Sequence, residues 1–193
     1  METNLAYKFE EERREEIING KVVVMSTPVL RHVFLSGNLY CIFRKYPQDK
    51  SCIVIPAGAA LFLEEDTEEY QPDMMVVCDP DKIQSDGVHG TPDLVVEVLS
   101  PSTGRNDRGH KKDVYEKHGV REYWMINPRD QSIEQYVLEN GRFVLRDVYS
   151  RYPDFMLRHM SDEEKAALVT EFHPALFEEF NIRLDDVFDV PGA

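Results

Sequence analysis

The chain has 193 residues, enough for one domain with a substantial core and too few for two. Hydrophobic residues make up 42% and charged residues 30%, which excludes both a disordered chain and a membrane-embedded one. A formal net charge of -14 argues against a surface that coats nucleic acid broadly and leaves room only for a local basic groove.

The N-terminus, METNLAYKFEEERREE, has no apolar stretch of the signal-peptide kind, and no apolar run approaches the ~20 residues of a membrane span. The three cysteines, Cys41, Cys52 and Cys78, are odd in number and contain no CxxC. They read as small core hydrophobes in a reducing cytosol, with neither a disulfide framework nor a zinc site indicated.

In chain order, residues 7–18 read as a Glu/Arg-rich helix ended by Asn19-Gly20 in a left-handed cap. Lys21–Met25 (KVVVM) is a short strand. Pro28 opens a longer helix whose His32, Leu35, Leu39, Ile42, Phe43 and Tyr46 recur at helical spacing. Ser51–Ile55 and Ala59–Leu63 are strands, EEDTEE is a solvated acidic turn, and Asp73–Cys78 (DMMVVC) is a strand. A loop, DPDKIQSDGVHGTP, leads to the strand in DLVVEVLS.

After Pro101, Asn106 or Asp107 caps a helix that runs to about His118, and Gly119 stops it. Glu122–Ile126 is a strand with Trp124 as a core residue. Ile133–Leu138 and Arg142–Tyr149 flank Asn140-Gly141, a strong hairpin signal. Ser161 caps a last helix over Asp162–Thr170, and NIRLDDVFDV packs back as a tail. The sum is a single α/β domain over 1–193 with a central mixed β-sheet flanked by helices.

Glu97 stands in the middle of an apolar strand, where an unpaired carboxylate is costly. Asp73 opens the preceding strand, and the intervening loop is long enough to pair the two. Adjacent carboxylates raise each other's pKa, and a hard divalent cation such as magnesium relieves the repulsion. On the helix after Pro101, Lys111, Val114, Tyr115 and His118 follow an i, i+3, i+4, i+7 pattern, so Lys111 points at the sheet. Lys112 falls on the next face, in an exposed pair with Glu116. Lys111 needs an acidic partner, and Glu97 and Asp73 are the nearest candidates. A structural Glu97–Lys111 salt bridge that needs no metal is the alternative. His89 and His110 carry no signal.

Pro72-Asp73, Glu97 on a following strand and then a lysine resemble the PD-(D/E)xK nuclease superfamily, although the usual lysine position two residues after the acid is Leu99. The longer run PDLVVEVLSPST…DRGHKKDVYEKHGVREYWMINP is similar to the Uma family (Uma-two type) of restriction endonuclease-like proteins, which moves its lysine to the following helix. INGKVVVMSTPVLRH and the QPD before the second strand belong to the same likeness, which spans about 15–127; set against the family's usual ending, 150–174 reads as a local insertion.

The resemblance implies a restriction endonuclease-like fold and hydrolysis of nucleic-acid phosphodiester bonds, with Mg2+ or Mn2+ as cofactor. Asp73, Glu97 and the backbone carbonyl of Val98 would hold the metal. Lys111 would orient or activate the attacking water, Glu16 on the first helix would be an auxiliary acid, and His32 would face the same cleft. The expected setting is a cytoplasmic homodimer acting on DNA, with basic surface from Arg31, Arg44, Lys45, Arg105 and Arg108. Glu97→Ala and Lys111→Ala are then expected to abolish cleavage and leave the fold intact. The alternative is a catalytically silent binding or scaffold module on the same fold.

Overall fold

The computed structural model describes residues 14–46 and 52–191. The chain opens with a hairpin, β1 (Glu15–Ile18) and β2 (Lys21–Val24), where the sequence reads as the end of a helix. Residues 7–13 of that expected helix lie outside the described residues. The reason for the difference is the turn: Asn19 and Gly20 both have positive φ, 51° and 69°, which is a two-residue hairpin turn rather than a helix cap. The same chemistry, Asn140 at 51° and Gly141 at 78°, closes the expected later hairpin.

Helix α1 (Leu30–Lys45) follows, two residues after Pro28, and buries Leu35, Leu39 and Phe43 as the spacing predicts. Strands β3 (Ile53–Pro56), β4 (Ala60–Glu64), β5 (Glu68–Tyr70) and β6 (Met74–Val77) come next. The acidic turn is only partly solvated. Glu68 is buried in β5 and accepts a hydrogen bond from Tyr70, and His110 Nε2 lies 3.3 Å from it. The loop before β8 contains a further short strand, β7 (Gly87–His89), and β8 is Leu94–Val98.

Beyond Pro101 the helix starts earlier than the expected cap. It comprises α2 (Gly104–Asn106), a wider turn over Asp107–Lys111 with i→i+5 bonding, and α3 (Lys112–Lys117). Asp107 is therefore inside the helix, not its N-cap. Strands β9 (Glu122–Asn127), β10 (Ser132–Glu139) and β11 (Arg142–Ser150) form a meander. The remainder holds α4 (Asp154–Leu157), α5 (Asp162–Ala166), β12 (Glu171–Phe172), β13 (Ile182–Arg183) and α6 (Leu184–Val187). Ser161 caps α5 through a full capping box, but that helix ends at Ala166 rather than Thr170.

The main sheet has the order β11-β10-β9-β8-β6-β3, mixed through the parallel pair β8–β9. A second sheet, β2-β1-β5-β4-β7, packs beside it. Strand alternation divides the core into two layers. Met74, Val76, Leu94, Val96, Val98, Trp124 and Ile126 face α1 and the C-terminal segment, where Ile182, Leu184 and Val187 complete the layer. Met75, Val77, Val95, Tyr123 and Met125 face the second sheet and α3. The C-terminal tail thus packs back on the domain as its sequence suggests.

The cysteines depart from expectation. Register pairing Ile53 with Val77 sets Cys52 beside Cys78, and these two form a disulfide, while Cys41 is exposed on α1. Among the described residues, no helix is long and apolar enough to cross a membrane.

Candidate active site

Strands β6 and β8 run antiparallel with Met74 opposite Val96 and Met75 opposite Val95. One step further, the register sets Asp73 opposite Glu97. Both carboxylates leave the sheet on the face shared with Met75 and Val95, toward α3. Val98 N donates to Asp73 Oδ2 at 2.8 Å, and His32 Nε2 from α1 lies 2.7 Å from Asp73 Oδ1. Asp73 therefore ties α1 to β8.

Lys111 Nζ enters from the wider helical turn. It donates to Glu16 Oε1 at 2.8 Å and to Glu97 Oε1 at 3.2 Å, and lies 3.7 Å from Asp107 Oδ1. The Tyr115 hydroxyl donates to Glu97 Oε1 at 2.9 Å. Glu16 stands on strand β1 rather than on a first helix. It also accepts from Gln71 N at 3.0 Å. It backs Lys111 and is not part of the cleft wall.

Asp107 was not singled out by the sequence motif, although a signal was present. It lies four residues before Lys111 and so on the same stripe as Lys111, Val114, Tyr115 and His118. Its residue exposure is 1%, and among the described residues neither carboxylate oxygen has a hydrogen-bond partner. Glu16 Oε2 is orphaned in the same way. The Tyr123 hydroxyl donates to the Asp107 backbone carbonyl at 3.0 Å and secures the wider turn to β9.

The site therefore sets four buried carboxylates, Glu16, Asp73, Glu97 and Asp107, against the single ammonium of Lys111. Burial pushes the Glu97 carboxyl well above its ordinary range; Lys111 opposes this and Asp107, Asp73 and Glu16 reinforce it. Burial likewise raises Asp107, only partly offset by Lys111. For Lys111, burial alone would lower the pKa, but Glu97, Glu16 and Asp107 outweigh it and hold the ammonium charged.

Asp73, Glu97, Val98, Asp107, Lys111 and His32 line one cleft of about 390 Å³. Of the five basic residues expected to supply a nucleic-acid surface, Arg31 and Arg108 stand on this cleft and Arg44, Lys45 and Arg105 do not. Arg14 and Arg129, not anticipated from the sequence, join them. Lys112, expected in a pair with Glu116, instead places Nζ 3.7 Å from the Tyr136 ring centroid, and Glu116 pairs with Arg142 at 2.7 Å. Trp124 is core, as expected.

A mixed sheet with an acid on each of two adjacent strands and a lysine delivered by the next helix defines a restriction endonuclease-like α/β protein. The chain belongs to the Uma2 family, described as "Putative restriction endonuclease", whose family model matches residues 1–163. The uncharacterized protein slr1290 of Synechocystis sp. is 29% identical over 132 residues, covering 67% of this chain and 70% of that protein. A crystal structure from Anabaena variabilis, titled a "putative nuclease belonging to DUF820", superposes with a TM-score of 0.67 at 18% identity. It covers 92% of this chain and 90% of the other. At that identity, the likeness is one of fold.

Proposed function

We propose that the protein is a divalent-metal-dependent endonuclease hydrolysing nucleic-acid phosphodiester bonds at the Asp73–Glu97 cleft. The observation that carries this reading is the charge imbalance: four buried carboxylates face one ammonium, and three of their oxygens have no hydrogen-bond partner. A buried charge excess of this kind is expensive unless a cation joins it.

The donor set fits a hard cation. Oxygen ligands from one or two carboxylates, completed by waters, are what Mg2+ takes. Among the described residues, no three His, Cys, Asp or Glu side chains are arranged to enclose an ion by themselves. Magnesium held chiefly by waters and two carboxylates does not require three. Asp73, Glu97 and the Val98 carbonyl would hold it. When bound, the ion supplies Lewis-acid polarisation of a phosphate and lowers the pKa of a coordinated water.

The chain's own residues do the rest. Lys111, kept charged by its carboxylate neighbours, stabilises negative charge that develops on the phosphate in the transition state. Glu16 and Tyr115 fix its position and that of Glu97. His32 holds the Asp73 carboxylate from α1.

The test is calorimetric titration of Mg2+ and Mn2+ into wild type and Glu97→Gln, with and without a short DNA oligonucleotide, followed by a cleavage assay on the same samples. The expected result is ion binding by wild type that Glu97→Gln loses, with cleavage only where the ion binds. If wild type binds no ion even with the oligonucleotide present, Glu97 and Lys111 form a structural pair and the protein is a binding module.

A further inference from the structure

The net charge of -14 poses a problem for any enzyme whose substrate is a polyanion. The cleft supplies a local answer, because Arg14, Arg31, Arg108 and Arg129 all stand on its wall. Two of them are engaged: Arg14 Nε donates to Gln71 at 3.2 Å, and Arg108 pairs with Glu134 at 3.0 Å. Among the described residues, Arg31 and Arg129 make no ion pair. They approach from different elements, Arg31 from α1 and Arg129 from the turn between β9 and β10. The same cleft is lined by Asp73 and Glu97 and by Ser100, Ser102 and Thr103.

Two further features concern the form of the ligand. About 390 Å³ lies at the low end of the roughly 300–1,000 Å³ of small-molecule pockets, which is room for a nucleotide unit. Apolar residues also line the cleft, Met25, Pro28, Val29, Pro101 and Pro128 among them, and Val29 is 70% exposed. A duplex presents phosphates and sugars outward and would gain little from such a lining. Unstacked bases of a single strand offer apolar faces that it can cover.

We propose that the cleft takes single-stranded nucleic acid, with Arg31 and Arg129 gripping backbone phosphates of the strand that reaches Asp73 and Glu97. This rests on the nuclease reading of the same cleft and adds the form of the substrate and the residues that hold it. Because phosphate contacts read no bases, DNA and RNA strands are both accepted.

The test is fluorescence anisotropy with labelled 12-nucleotide DNA and RNA strands and the matching blunt DNA duplex. Calcium replaces magnesium, and salt is varied from 50 to 200 mM. Both single strands are expected to bind at least tenfold tighter than the duplex. Each phosphate contact on a single strand contributes about 0.7 to the slope of log K against log salt, so Arg31→Ala/Arg129→Ala lowers that slope by about 1.4. Arg44→Ala, which removes an arginine outside the cleft, leaves it unchanged. Duplex binding as tight as single-strand binding, or an unaltered slope in the double variant, overturns the proposal. If the duplex is bound and is cleaved when manganese replaces calcium, the nuclease reading stands and this one falls. If no probe binds, both fall.

Discussion

Asp107 and Lys111 stand one wide helical turn apart, with Asp107 Oδ1 3.7 Å from Lys111 Nζ and both side chains almost wholly buried. The distance is too long for a hydrogen bond, so Asp107 contributes charge to the cluster without being satisfied by it. Asp107→Asn is therefore expected to move two properties in opposite directions. Thermal stability in EDTA rises, by about 1 kcal/mol, because a repelling buried charge is removed. Affinity for Mn2+ falls, by roughly tenfold, because the cleft's negative field weakens. Melting and titration on one preparation check both, and a fall in stability would mean that Lys111 depends on Asp107 as a structural partner.

The two raised carboxyls make stability in the absence of metal depend on pH. Glu97 and Asp107 titrate higher in the folded protein than their ordinary values of 4.5 and 3.8. The folded state thus binds more protons than the unfolded one. Their favourable contribution is full below those ordinary values and is lost as pH rises through the folded pKa values. In EDTA, the melting temperature should fall as pH rises from about 4 toward neutrality, beyond the response of Asp107→Asn/Glu97→Gln. Adding Mn2+ should flatten the decline. A pH response identical to that double variant's would mean these carboxyls are not the source.

How much of this was legible in the sequence depended on which signal a residue carried. Asp73, Glu97 and Lys111 were readable because each is a charge at a position whose neighbours demand an apolar residue. Their meeting followed from strand and helix periodicity, and the structure brings all three to one cleft. The N-terminal hairpin was not readable in the same way. Asn19-Gly20 closes it with the same pair of positive φ angles as Asn140-Gly141, but the Glu/Arg-rich residues before it carry helix propensity and no alternation. Pairing of β1 with β5 overrides that local preference and delivers Glu16 to Lys111. The disulfide depends on the β3–β6 register, and the arginine wall depends on four separate segments of the chain. Neither has a local signature.

Burial changes what Lys111 variants should do. The residue is 1% exposed and contacts carboxylates on β1 and β8. Removing its charge takes the ammonium away from Glu16, Glu97 and Asp107. Lys111→Met is expected to cost about 3–5 kcal/mol of stability in EDTA as well as to abolish cleavage, so the fold is not left untouched. Mn2+ should recover part of the stability and none of the activity. Chemical denaturation with and without Mn2+ separates the two effects. Unchanged stability in EDTA would show that the ammonium is not compensating the cluster.

A further buried carboxylate, Glu122, is satisfied by neutral donors. Glu122 begins β9 and is wholly buried. Its Oε1 accepts from Trp124 Nε1 at 2.6 Å, Gln135 Nε2 at 2.6 Å and Ala175 N at 3.0 Å, and its Oε2 accepts from Leu176 N at 3.1 Å. Four donors replace the lost water, and two of them are backbone amides of the C-terminal segment. Glu122 thereby fastens that segment, with its Phe172, Phe177 and Phe180, over the layer formed by α1 and the main sheet. Glu122→Ala takes the acceptor from all four donors, of which Gln135 Nε2 keeps its bond to the His173 carbonyl, and each hydrogen bond to a charged group is worth about 1.5–3 kcal/mol. The loss is expected to reach about 3 kcal/mol or more, with protease cleavage after 170 appearing before global unfolding. Trp124 is the chain's one tryptophan, so its fluorescence reports the event directly. Metal affinity at the Asp73–Glu97 cleft should stay at the wild-type value, since Glu122 begins β9 opposite Leu94, at the end of the strand away from the cleft-lining Asn127. A variant that lost metal binding but kept its C-terminal segment would show instead that Glu122 acts on the cleft through β9.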